Sequence, residues 1–157
     1  MLKTPLTFLI ALLLLGSACG TPAPVPPTAT ATPAAPSASQ LFGTSWSLSQ
    51  LRGNSLIAGT HIGLEFTANF LGGEMTCNGY GHGPDSGKYT AADDGSFKII
   101  GLAVTVVLCE PEGLARQEDT YIATLQQAAT FRVTGDRLEF YDQDGAAILV
   151  FDRQTSP

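Results

Sequence analysis

Side chains that do chemistry are scarce in this chain. Its 157 residues hold two histidines, three cysteines and one tryptophan. A metal centre draws on three or four such ligands. Cys77, His82, Asp85 and Cys109 are the set one could imagine converging, and their spacing matches no zinc pattern. No metal and no cofactor is expected. Positive charge is scarce too, with eight lysines and arginines against fourteen acids. That balance argues against nucleic acid or anionic lipid as a main partner. Long apolar runs are lacking as well. Leu6 to Leu15, "LTFLIALLLL", has ten residues, too few to span a bilayer as a helix.

That run, behind Lys3, has the length of a signal-peptide h-region. "GSAC", Gly16 to Cys19, follows it and resembles a lipobox, the cleavage site of bacterial lipoprotein signal peptides. Gly16 stands where leucine is usual. The resemblance implies that residues 1–18 are removed and that Cys19 becomes the first residue and carries three acyl chains. Two such lipid signals already anchor stably. The expected place is therefore the bacterial cell envelope, on a membrane through the lipid anchor, with the domain exported. The alternative is an ordinary secretory signal cut near Ala18, which leaves Cys19 a free thiol.

From Gly20 to Ser39 there is no charge and no aromatic residue. Repeated proline favours an extended, solvated backbone. Residues 19–40 read as a lipidated cysteine and a tether that adds nothing to folding, because it has too little apolar surface to offset its ordering entropy. Residues 41–152 are one domain's worth of chain, and 153–157 a short tail.

Within the domain, alternation dominates. "WSLSQL" sets Trp46 and Leu48 against Ser47 and Ser49, and "IGLEF" sets Ile62, Leu64 and Phe66 on one face. "FRV" and "LEF" flank Gly135-Asp136 and read as a tight hairpin. Asp144-Gly145 marks the next turn, into "AAILVF". "FKII" and "VTVVL" are shorter strand candidates. One segment has helical period: Leu114, Tyr121, Ile122 and Leu125 share a face, behind Glu110-Pro111-Glu112 as a start signal. A lone amphipathic helix must bury its stripe on the sheet. The expected fold class is α+β, a mainly antiparallel, strongly curved β-sheet packed on one central amphipathic helix. Trp46, Phe66, Phe131, Leu138 and Phe140 should share one core with Leu114, Ile122 and Leu125.

The order of motifs resembles the META domain family, which includes the HslJ-like heat-shock lipoproteins. "LFGTSWSLSQLRG" is similar to the family's opening. Its Gly-Cys-Asn motif is met by Thr76-Cys77-Asn78, with Tyr80 and Gly87-Lys88-Tyr89 beyond. Its Thr-x-Met-Ala-Cys motif is met by Thr105 to Cys109, and its helical Glu-x-x-Phe by Glu118 and Tyr121. "GDRLEFYDQDG" fits the last hairpin. His82 to Ser86, "HGPDS", looks like an insertion. The resemblance implies a small envelope or secreted protein linked to stress tolerance, drug resistance or virulence, and no established enzymatic activity.

The stretch "GEMTCNGYGHGPDSGKY", Gly73 to Tyr89, holds the remaining candidates. As a nucleophile, Cys77 needs a base held within reach and a third group to orient it, and nothing in the pattern fixes His82 there. The preferred reading is turn geometry supplied by Gly, Asn and Pro, with Cys77 at a strand end. Cys77 and Cys109 are expected to form a disulfide, since acylation of Cys19 leaves an even pair in an oxidising compartment. Two reduced, buried cysteines are the rival. Asp142, Asp144 and Gly145 carry part of a calcium-loop pattern without its closing glutamate, and a hairpin turn is the expected explanation. Asp93-Asp94-Gly95 reads the same way, and His61 reads as a surface residue at a strand start. The protein is expected to be a monomer and not an enzyme. Either it binds or buffers something in the envelope, or it is an adaptor or inhibitor that presents the loop with His82 and Asp85 to an envelope protein.

Overall fold

The computed structural model describes residues 35–77, 80–82, 86–105 and 112–155. The expectations placed on Cys19, Asp85 and Cys109, on the tether before residue 35, and on a strand from Val106 onward lie outside the described residues. Cys77 and His82 are described by their backbone only, so the Cys77–Cys109 disulfide and the partner loop also lie outside them.

Alternating apolar side chains make the strands, and bulges correct the phase where alternation slips. β1 (Thr44–Leu51) buries Trp46 and Leu48 and then Leu51. Leu48 pairs with Phe151 while Gln50 pairs with the adjacent Val150, so Ser49 is an extra residue. Such a bulge flips the faces that follow, which keeps Leu51 inside and leaves Gln50 at the margin. β2 (Asn54–Ser55), β3 (His61–Phe66), β4 (Phe70–Gly72), β5 (Met75–Cys77), β6 (Tyr80–His82), β7 (Ser86–Ala91) and β8 (Phe97–Ala103) come before the helix α1 (Glu112–Leu125). β9 (Thr130–Thr134), β10 (Arg137–Tyr141) and β11 (Ala147–Arg153) follow it. The main strand order is β8-β7-β4-β3-β1-β11-β10-β9, and β2 extends from β1. β5 pairs with β3 and β6, outside the main order. All the pairings are antiparallel. With one α-helix among the described residues, this is an α+β domain. The ends of the strand order are also linked: Ser96 bridges Thr130, Phe97 N–H donates to Ala129, and Phe131 N–H donates to Gly95.

The core joins helix to sheet. Tyr121 and Leu125 are fully buried in one cluster with Trp46, Leu64, Phe66, Phe131, Leu138 and Phe140. Aromatic rings run through it, with Phe97 4.7 Å from Phe140 and Phe66 5.2 Å from Tyr89 between centroids. Burying one such side chain contributes about 1.5–3 kcal/mol. The expected helix stripe needs correction. Leu114 packs in a separate small cluster with Ala115, while Ile122 is half-buried and packs against the main core. The buried face is centred on Tyr121, Thr124 and Leu125, because Thr124 is fully buried and bonded through its hydroxyl. The helix is thus rolled from its apolar stripe toward a threonine.

The turns follow their residues. Gly135, at φ 59, opens the two-residue loop between Thr134 and Arg137. Asp142 Oδ1 accepts from the amides of Asp144 and Ala146, so its carboxylate is spent inside the turn. Asp94 Oδ1 likewise accepts from Ser96 N–H, and that bond holds its pKa below the usual carboxylate range. Asp93 does something else. Its Oδ1 accepts from Ser37 Oγ at 2.9 Å and Ala38 N at 3.0 Å. Ser37 caps and Ala38 opens a 3-10 turn, Ala38–Gln40, that leads to the fully buried Leu41. Pro36 lies so close to Gly95 that a Cβ there would come within 2.9 Å of it. Residues 36–38, expected in the tether, are therefore held against the domain by the Pro36 contact and by hydrogen bonds from Ser37 and Ala38 that composition does not reveal. Among the described residues no helix is long and apolar enough to cross a membrane.

Candidate functional site

The glycine-rich stretch is a side branch of the sheet. β5 pairs with β3 through His61↔Thr76 and Ile62↔Met75, and with β6 through Met75↔His82, Thr76↔Gly81 and Cys77↔Tyr80. Cys77 is the last residue of β5, at the strand end where the sequence placed it.

His61, at the start of β3, is more than a surface residue. Its ring is half-buried and sits in a polar cluster from four parts of the chain. Nδ1 lies 3.3 Å from Ser47 Oγ of β1, and Nε2 lies 3.1 Å from Gln154 Nε2 beyond β11. Glu74 Oε1, before β5, is 3.7 Å from Nε2. The backbone supports this grouping, since Ser47 pairs with Gly63 and Gly63 N–H donates to Glu74 O at 2.7 Å. A cleft of about 230 Å³ opens beside it, lined by Gly63, Glu65, Gly73, Glu74 and Gln154. Serine, histidine and carboxylate invite comparison with a catalytic triad. Both ring nitrogens are engaged, Nδ1 with Ser47 and Nε2 with Gln154, and which of them donates depends on the tautomer. Only the tautomer with a bare Nδ1 can accept the Ser47 proton.

A second site lies between the β1–β2 hairpin and α1. The two-residue loop of that hairpin is Arg52-Gly53, with φ of 49 and 77. Positive φ at both positions is a type I′ turn, where asparagine or glycine is usual first. An arginine there costs roughly 1–2 kcal/mol of backbone strain. Its side chain is fixed to the helix end: Nε donates to Thr124 Oγ1 at 2.9 Å and Nη2 to Gln127 Oε1 at 2.6 Å. Beside it runs a cleft of about 280 Å³, with Asn54, Ser55 and Ile57 on one wall and Arg116, Gln117 and Thr120 on the other. Gln117 ties the walls together, accepting from Ile57 N–H at 2.6 Å and donating to Thr60 Oγ1 at 3.0 Å. Sequence reasoning passed over this site. Gly53 was the only local signal, and the partners lie some 70 residues away. On the buried side of α1, the Tyr121 hydroxyl has no hydrogen-bond partner among the described residues, and burial pushes its pKa well up.

The META domain family model matches residues 39–155. Among solved structures, an NMR structure of a protein from Burkholderia xenovorans is similar at 22% identity and a TM-score of 0.55, covering 85% of this chain and 100% of that one. A second NMR structure is similar at 19% identity and a TM-score of 0.53, covering 73% of this chain and 92% of that one. At such identities the likeness concerns the fold alone. No curated protein matches the chain.

Proposed function

This chain belongs to the META domain family, and on that premise we propose that it is an exported, non-enzymatic binding module, held on a bacterial envelope membrane through acylated Cys19. In this reading the tether stands the domain off the membrane, the protein works as a monomer, and Cys77 and Cys109 are joined as a disulfide. Its role is stress-related binding or buffering in the envelope. The observation that carries the reading is the β5–β6 branch. It is tied to β3 by two residue pairs, it lies outside the main strand order, and it leads into the 82–86 segment. A short branch outside the main strand order supports a presenting role over an enclosed reaction site. Strong curvature of the sheet belongs to the same reading, supported by bulges on three strand pairs and by the bridge between β8 and β9.

The second reading, an adaptor or inhibitor that presents His82 and Asp85 to a partner enzyme, is favoured by the same branch. Cross-linking in native envelopes, with the intact chain and with one lacking residues 82–86, tests both. Capture of a protein by the intact chain only supports the adaptor. Equal capture by both moves binding off the branch. Cys19→Ala should release the protein from membranes, and retention after a high-salt wash would sink the anchor.

A further inference from the structure

We propose that the cleft between the β1–β2 hairpin and α1 is an oxyanion-binding site, with Arg52 as its anchor and a carboxylate or phosphate group as its ligand. The proposal goes beyond the presented branch and does not depend on it.

Three observations meet at Arg52. It occupies a left-handed position, φ 49, that asparagine or glycine would fill without strain. Its guanidinium is held in one orientation by Thr124 and Gln127, the first of which is fully buried. Both acceptors are neutral, so the bonds fix the fork without cancelling its charge. Two arginines of the C-terminal strands differ: Arg137 lies 3.0 Å from Glu139 and Arg153 lies 3.2 Å from Asp136. In a chain with fourteen acids, Arg52 has no carboxylate partner among the described residues.

A guanidinium has five N–H donors in a planar fork. Nε and Nη2 each spend one on the helix end, which leaves three for a ligand. Fixed, uncompensated forks suit carboxylate and phosphate, because two parallel N–H donors match two oxygens. The cleft beside Arg52 has the matching character. Its far wall brings a second cation, Arg116, and the neutral polar side chains of Gln117 and Thr120. Its near wall brings Asn54 and Ser55. No acid is among its described lining residues, so none of these repels an anion. The cleft is open along the helix, which fits the charged end of a larger molecule better than a caged ion.

The test is an NMR titration of the mature chain with inorganic phosphate and, separately, with succinate, following the amides of Asn54, Ser55, Gln117 and Thr120. Saturable shifts are expected with at least one anion, and the tighter of the two identifies the group. Arg52→Asn suits the turn and removes the fork, and it should weaken binding by about tenfold or more. Gln127→Glu keeps the arginine and neutralises it in place. It should weaken binding too, while holding the hairpin at least as firmly. No saturation with either anion overturns the proposal, and so does an affinity unchanged in both variants.

Discussion

The hairpins β9–β10 and β5–β6 share a plan and are held by different means. Each is an antiparallel pair with two residues between the strands. β9–β10 has five paired positions and buries Phe131, Val133, Leu138 and Phe140 on one face, under Phe97. β5–β6 has three paired positions, and Met75 is its described anchor in the core. A two-stranded hairpin alone is marginal in water. Apolar burial makes the first a structural element, while the second depends on two pairs to β3 and on whatever closes its far side. The C-terminal part of the domain is thus secured by its side chains, and the described glycine-rich branch chiefly by backbone pairing.

The strongest way to break this contrast is to empty the first hairpin. Phe140→Ala should cost about 3–5 kcal/mol, because it opens a cavity among the packed rings. Chemical denaturation reads the loss, and a cost below about 1 kcal/mol would mean that the rings are not what secures this end. Next is the proposed staple of the branch. Cys77→Ser should remove about 3–4 kcal/mol from the oxidised protein and almost nothing from the reduced one. Equal losses under both conditions, or two free thiols in denatured mature protein lacking Cys19, would leave the branch without its cross-link.

Tyr121→Phe sharpens the contrast in the other direction. The buried hydroxyl has no described partner, so its removal should stabilise by about 1 kcal/mol. Burial raises the folded pKa of Tyr121 above its unfolded value. The stability it supplies as a neutral group is therefore complete below the unfolded pKa of about 10 and falls as pH rises beyond it. The phenylalanine variant should show a shallower alkaline decline, and an overall loss of stability would show that the hydroxyl has a partner. Asp93→Ala tests the N-terminal margin and should cost about 1 kcal/mol through the bonds to Ser37 and Ala38. A chain beginning at Ser39 should lose a similar amount, and Asp93→Ala should then add little. If that shortened chain melts with the full mature chain, the docking of residues 36–38 contributes nothing.

The smallest effect concerns the outer face of β10. Burial alone would raise the pKa of Glu139. Hydrogen bonds from Tyr141 and Arg137, with the charges of Arg137 and Arg132, outweigh it and hold the pKa below the usual carboxylate value. Its contribution is therefore present above the ordinary carboxylate range and lost as pH falls through the lowered value. Solvent reaches this half-buried pair through Arg137 and screens it, so Glu139→Gln should flatten the acid side of the stability curve only slightly. A curve unchanged by the substitution would show that the pair Glu139–Arg137 does nothing measurable.

Much of the fold was legible where one residue type decides one local geometry. Gly135-Asp136 and Asp142 to Gly145 turn the chain because glycine reaches positive φ and aspartate bonds forward to the backbone. The alternation in "WSLSQL" and "LEF" named the buried faces, apart from the shift at Ser49, since a bulge is a property of two paired strands and β11 lies 100 residues on. The helix was legible as a helix, but its roll was not: Thr124 faces inward because Arg52 meets it there. His61 seemed isolated along the chain, and the sheet brought Ser47, Glu74 and Gln154 to it.

The sequence by itself therefore determined the strands with alternating apolar residues, the tight turns, one helix and part of the core, because those rest on periodicity and on the backbone preferences of neighbouring residues. Only the tertiary structure decided that residues 36–38 dock on Asp93, that Thr124 is buried beside Tyr121 and Leu125, and that Arg52 stands fixed and unpaired with any described acid beside an open cleft. Each of these depends on a hydrogen bond between side chains or backbone groups far apart in the chain, and local pattern holds no record of such a bond.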